Sequence, residues 1–279
     1  MDGDEKMGLF FNYDKPGPGV DKNAPKKKGI ALFFELLWRN FGKMLLSNML
    51  YFVVSLPVLA LYAVIISMFF GNVIPEEVGS AGFLQIVMIL TVIVVILWGT
   101  GPVSCGYAYI LRNVAREEHT FLASDFFEKT KENFWHGLVF LLVDILMLTV
   151  FSVSVLFYHE LSEKTGGIYT IFYYLIIFMI VLYTIMHFYL YEMEVTFENG
   201  IKNVYKNAFL MSIATIPMCL VIGAVIIVLS FLILRFLTPV AIIIVAFLCW
   251  ISIMRFMVDF YTARVIKKNF LQENKEANE

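Results

Sequence analysis

Residues 44–70 read MLLSNMLYFVVSLPVLALYAVIISMFF. No Asp, Glu, Lys or Arg interrupts them. At about 1.5 Å per residue, a helix of this length crosses the roughly 30 Å of a bilayer's hydrocarbon core. Comparable apolar runs follow at 83–111, 137–158, 168–191, 208–233 and 236–258. In lipid the backbone must satisfy its own hydrogen bonds, so such runs are expected to be helices. The short alternating segments of an outer-membrane barrel are absent. Hydrophobic residues make up 60% of the 279 and charged residues only 16%, well below the quarter or so usual in soluble domains. The expectation is an all-α polytopic membrane protein with about six transmembrane helices. Arg235 and Pro239 mark a very short turn before the last run, and a re-entrant pair is the alternative reading of the final two segments.

Orientation follows from the basic residues. Eight Lys or Arg precede Met44, four lie between the second and third runs, two between the fourth and fifth, and five at the C-terminal end. These nineteen fall on one side; Lys164 and Arg235 are the two on the other, with Glu76 and Glu77 in its first loop. That asymmetry predicts cytoplasmic N- and C-termini. The chain divides into a basic arm over 1–29, a membrane domain over 30–260 and a polar tail over 261–279. The charged first 43 residues lead into no short apolar core with a small-residue cleavage site, so the first run is expected to remain as a membrane helix.

The basic side carries amphipathic patterns. Ile30, Phe33, Phe34, Leu37, Trp38 and Phe41 recur at helical spacing, which places a helix in the interface plane before the first span. Asp125 followed by Glu128 resembles a capping box and predicts a short helix carrying Phe126, Phe127 and Phe134 before the third span. Phe197, Ile201, Val204, Tyr205 and Ala208 form a third stripe before the fifth span. Three units of interfacial helix plus membrane hairpin are the repeat this suggests.

Gly99-Thr100-Gly101-Pro102 interrupts the second run and predicts a kink or unwound turn. With Pro217 and Asp144 it is a candidate lining for a solute path; ordinary kinking and an interhelical hydrogen bond from Asp144 are the competing structural readings. His187 reads as an interfacial polar residue, and Arg255 with Asp259 as an i,i+4 pair. Cys105, Cys219 and Cys249 lack metal spacing, and the four histidines are scattered. No motif for a nucleotide, a metal or an acyl-enzyme is present, so no enzyme, cofactor or metal is expected. The basic arm is explained by topology and anionic lipid rather than by nucleic acid.

Asn48–Pro57 (NMLYFVVSLP) and Gly101–Phe134 (GPVSCGYAYILRNVAREEHTFLASDFFEKTKENF) together resemble the YesL-like family of bacterial membrane proteins, a domain of unknown function, number 624. The residues that carry the likeness are Ser55, Leu56 and Pro57, then Tyr107, Arg112, Glu117 and Glu118, then Asp125, Phe126, Phe127, Lys131, Asn133 and Phe134. Lys202, Asn203, Lys206, Asn207 and Ala208 are similar to a second signature of that family. The stretch from Pro57 to Gly101 is longer than the family's pattern, and the basic arm is an extension of it. The resemblance implies a cell membrane of Gram-positive type and association with carbohydrate-utilisation systems, including subunits of sugar ABC importers. It implies no catalytic residue. Asp125, Phe126, Phe127, Lys131, Asn133 and Phe134 are the candidate partner-binding segment.

Overall fold

The computed structural model describes residues 27–71, 79–197 and 200–271. Most of the basic arm, Glu76 and Glu77, and the end of the polar tail lie outside the described residues. Among the described residues all regular structure is helical. The elements are α1 (Gly29–Arg39), α2 (Phe41–Phe70), α3 (Gly79–Trp98), α4 (Pro102–Arg116), α5 (Leu122–Glu132), α6 (Phe134–Thr165), α7 (Ile168–Thr196), α8 (Ile201–Ala214), α9 (Ile216–Arg235), α10 (Pro239–Val245) and α11 (Ile251–Ile266). A π-helical turn over Ala246–Trp250 joins α10 to α11, so the last span runs continuously from Pro239 to Asn269. Among the described residues six helices are long and apolar enough to cross a membrane: α2, α3, α6, α7, α9 and the α10–α11 rod. α9 alone has 20 residues, about 30 Å of helix, so by length the last two segments are full spans rather than a re-entrant pair.

Two span boundaries differ from the sequence reading. The second run does not continue through 83–111: its span ends at Trp98, and 102–116 form the separate helix α4. The fifth begins at Ile216, because 201–214 belong to α8.

α1, α5 and α8 precede the first, third and fifth spans, and each joins its span through a single non-helical residue. Those residues share one conformation: Asn40 (φ −107°, ψ 15°), Asn133 (φ −97°, ψ 20°) and Thr215 (φ −123°, ψ 15°). Their hydrogen bonds match as well. Asn40 donates both its backbone N–H and its Nδ2 to the Leu36 carbonyl, at 3.0 Å each. Asn133 does the same to Lys129, and Thr215 uses its N–H and hydroxyl on Met211. Each elbow residue's own carbonyl then receives the first bond of the following span, from Met44, Gly137 and Cys219. A short polar side chain that bonds its own backbone suits such a bend. The threefold repeat, faint in residue identity, is plain in this geometry.

α4 is the centre of the fold. Thirteen of its fifteen residues are buried, and it packs against α2, α5, α6, α7 and α11. Its contact with α5 is close: a Cβ at Gly106 would stand 2.4 Å from the Phe126 carbonyl oxygen. Of the membrane prolines, Pro57 lies inside α2, whereas Pro217 and Pro239 occupy first turns, where the missing N–H has no helical partner to lose.

The π turn has a specific support. Asn48 of α2 donates Nδ2 to the carbonyls of Ala246 and Phe247, both at 2.7 Å, and its Oδ1 accepts the Ser252 N–H at 2.7 Å. One side chain thus takes up backbone groups that the widened turn releases.

Candidate functional site

Polar groups gather where the broken second span meets α6 and α7. Tyr183, His187 and Tyr191 recur every four residues on α7 and form one stripe. Tyr183 Oη donates to Asp144 Oδ1 at 2.7 Å, and His187 Nε2 lies 2.7 Å from the same oxygen. That second approach is short but off-line for a hydrogen bond, since Nε2 has no aligned acceptor. Trp98 closes the group: its ring stacks on His187, and its Nε1 donates to Thr184 Oγ1 at 3.0 Å. Asp144 and His187 are fully buried, so the sequence reading of His187 as an interfacial residue is corrected. The hydroxyl of Tyr62 and Asp144 Oδ2 are buried without partners.

The break itself is held by side chains. Gly99 (φ +88°) and Gly101 (φ +71°) adopt conformations open to glycine. The Thr100 N–H donates to Ser104 Oγ at 2.7 Å, and the Gly101 N–H donates to Tyr191 Oη at 3.1 Å. The hydroxyls of Tyr51, Ser55, Thr100 and Ser104 complete a buried chain at 3.0–3.3 Å. Unwound backbone is tolerated at membrane depth because protein groups satisfy it. A void lined by Tyr51, Gly99, Ser104, Tyr107 and Arg255 has no room for a water molecule, so this junction is packed rather than open.

Toward the side that holds α1, α5 and α8, charged groups pair across helices. Arg116 lies 3.3 Å from Glu192, which also accepts from the Thr262 hydroxyl. Arg255 and Asp259 form the anticipated i,i+4 pair at 3.4 Å, buried rather than exposed. Arg112 donates to the Val195 carbonyl at 2.7 Å and to Thr196 Oγ1 at 3.0 Å. Burial, then the neighbouring Arg116 charge, pushes the Arg112 guanidinium below its ordinary value. Where α7 ends, a recess of about 570 Å³ opens among Lys129, Glu132, Asn133, Trp135, His136 and Glu194. His136 Nδ1 and Glu194 Oε1 are 2.6 Å apart there. Lys129 bonds Glu132 at 2.6 Å, a hydrogen bond that raises its ammonium above the ordinary value.

The candidate residues divide accordingly. Gly99, Gly101, Pro102 and Asp144 belong to the buried junction; Pro217 stands apart, exposed in the first turn of α9. Asp125 does not open its helix as the capping reading predicts. α5 starts at Leu122, and Asp125 reaches back to accept the Phe121 N–H at 2.9 Å. Phe126 is fully buried under α4, while Phe127, Lys131 and Phe134 face outward and Asn133 forms the elbow. Sequence reasoning missed Asn48, Tyr183 and the His136–Glu194 pair. The four-residue spacing of Tyr183, His187 and Tyr191 was the available signal; Asn48, one amide in an apolar run, had none. Among the described residues no group of three or more His, Cys, Asp or Glu is arranged to hold a metal ion.

A family model described as a protein of unknown function, DUF624, matches residues 83–155, from α3 through α4 and α5 into α6. The matched segment therefore contains the break, the α5–α6 elbow and Asp144. No curated protein and no solved structure matches the chain.

Proposed function

We propose that this integral membrane protein is an accessory or partner subunit of a carbohydrate uptake system, acting beside a sugar ABC importer in a bacterial cell membrane. Both termini lie in the cytoplasm in this reading, with α1, α5 and α8 along that face. The observation that carries it is the outward set of Phe127, Lys131 and Phe134, mounted on a rigid base where Phe126 and Gly106 lock α5 to α4. Exposed aromatic and basic side chains on a fixed element suit recognition of a partner. In this reading the role is one of contact. The carbohydrate assignment rests on the sequence resemblance.

The test is purification of the tagged chain from its native membrane in mild detergent, with mass spectrometry of what accompanies it. Permease, ATPase or solute-binding subunits are expected at near-stoichiometric amounts. The combined change Phe127→Ala, Lys131→Glu and Phe134→Ala should remove them while thermal unfolding stays unchanged. Recovery of the chain alone, where known complexes survive, sinks the reading.

A second reading, a small autonomous transporter, is favoured by the polar cluster of Asp144, His187 and Tyr183 beside a broken helix. It requires solute flux in liposomes of purified protein, reduced by Asp144→Asn; flux indifferent to that change removes Asp144 from any path.

A further inference from the structure

Ala60, Ala63 and Ala246 interrupt an otherwise bulky apolar surface where α2, α3 and α10 meet, and they leave a groove of about 280 Å³. Packed protein holds few voids larger than a water molecule, so a hollow of this size is filled from outside the chain. Leu56, Ala60 and Ile243 on its rim are exposed, and the groove opens sideways to whatever surrounds the bundle.

Its place in the membrane narrows the occupant. Phe52, Leu56, Leu59 and Ala63 recur at helical spacing along one face of α2. From the first to the last they rise about 16 Å, close to the roughly 15 Å depth of one leaflet's hydrocarbon. Met88 and Thr91, near the middle of α3, form the second wall, and Ile243 and Ala246 the third. No charged residue lines the groove, and its one hydroxyl, that of Thr91, is spent on the Val87 carbonyl at 2.8 Å. A polar ligand would find no partner there, and a neighbouring membrane helix no hydrogen bond to hold it. A hydrocarbon chain needs only contact, and three walls give it more than a flat flank does.

We propose that this groove binds one acyl chain of a membrane phospholipid, lying along α2 in the leaflet opposite α1, α5 and α8. The chain rests on Ala246, where the π turn begins and where Asn48 holds the carbonyl, so an occupied groove braces that turn from its lipid side. The inference rests on the spans lying in a bilayer and not on a protein partner, so it stands if the accessory reading fails.

Photolabelling tests it. The full-length protein is reconstituted in phosphatidylglycerol liposomes, a small fraction of whose lipid carries a diazirine midway along one acyl chain. Adducts formed under ultraviolet light are then located by mass spectrometry. Those on Ala60, Met88 and Ile243 should exceed those on Leu142, Leu146 and Val228, which are exposed on other spans, roughly tenfold, the ratio that about ten extra carbon–carbon contacts supply. Ala60→Phe, which fills the groove, should abolish the excess on Met88 and Ile243, whereas Val228→Phe should leave it intact. Even labelling of the wild-type chain overturns the proposal without reliance on any variant, and so does an undiminished excess in folded Ala60→Phe. Ala63→Leu provides the same reading if Ala60→Phe does not fold. Palmitate that clears the excess at a small fraction of the lipid would make the occupant a free fatty acid. A dimer of the chain that is lost in Ala60→Phe would make it a second copy. Either result overturns the assignment to phospholipid.

Discussion

Asp144 of α6 and His187 of α7 stand 2.7 Å apart, Oδ1 to Nε2, with both side chains sealed from solvent. His187 Nδ1 faces the Tyr183 carbonyl at 3.1 Å, and a carbonyl only accepts, so Nδ1 carries hydrogen. The contact ties the middle of one span to the next, beside the break after Trp98.

Removing either partner strands the other in the bundle. Asp144→Ala and His187→Ala should each cost about 1–3 kcal/mol, more than the ~0.6 kcal/mol of an average hydrogen bond between membrane helices. The double variant should lose clearly less than the sum, because the second change removes a group already stranded. Thermal or denaturant unfolding in one detergent decides the matter; strict additivity would mean that the two side chains are not coupled.

Asn48 makes a sharper chemical prediction. Its amide donates to two carbonyls and accepts the Ser252 N–H. Asn48→Asp keeps the shape and the acceptor but turns an acceptor oxygen toward the Ala246 and Phe247 carbonyls. It should be destabilised at least as much as Asn48→Ala, by about 1–3 kcal/mol or more. An Asp variant with unchanged melting would show that the π turn stands without this support.

The junction of α4 with α6 is fixed by absence of side chains. A Cβ at Gly137 would lie 2.5 Å from Pro102 Cα, and one at Gly101 would lie 2.8 Å from the Gly137 carbonyl oxygen. Gly137→Ala and Gly101→Ala should each lower stability by about 1–3 kcal/mol. Gly42→Ala, where nothing lies within 4 Å, should be neutral or stabilising, since Ala favours a helix interior. Melting curves of the three purified variants check the order; equal losses would deny the tight crossing.

The proposed orientation is open to a labelling experiment. Lys164→Cys should react with an impermeant thiol reagent in intact cells, and Lys131→Cys only after permeabilisation. Cys105 and Cys219 are buried and should contribute little background. The opposite pattern would invert the chain in its membrane.

What could be read from the residues was what hydropathy and helical spacing report directly. The six spans, the three amphipathic helices ahead of the odd ones, and the break at Gly99–Pro102 all follow from such local rules. The boundaries that went astray did so for one reason. Residues 102–111 and 208–214 are apolar because protein covers them or because they line an interface, and hydropathy does not distinguish that from spanning lipid. In the same way Phe126 and Phe127 are identical in sequence terms, yet one is in the core and the other outside. Pairings such as Asp144 with His187 or Asn48 with Ala246 join residues 43 and 198 positions apart, and their partners appear once the bundle is assembled.

The elbows at Asn40, Asn133 and Thr215 set the phase of the spans they begin. Each consumes one residue, so inserting another at any of them would turn the following span by about 100° against its neighbours. Asn48, Asp144 or Cys219 would then swing from the interior toward the acyl chains. A change in length there is therefore ruinous, and three joints of a single residue govern which faces of the protein meet lipid.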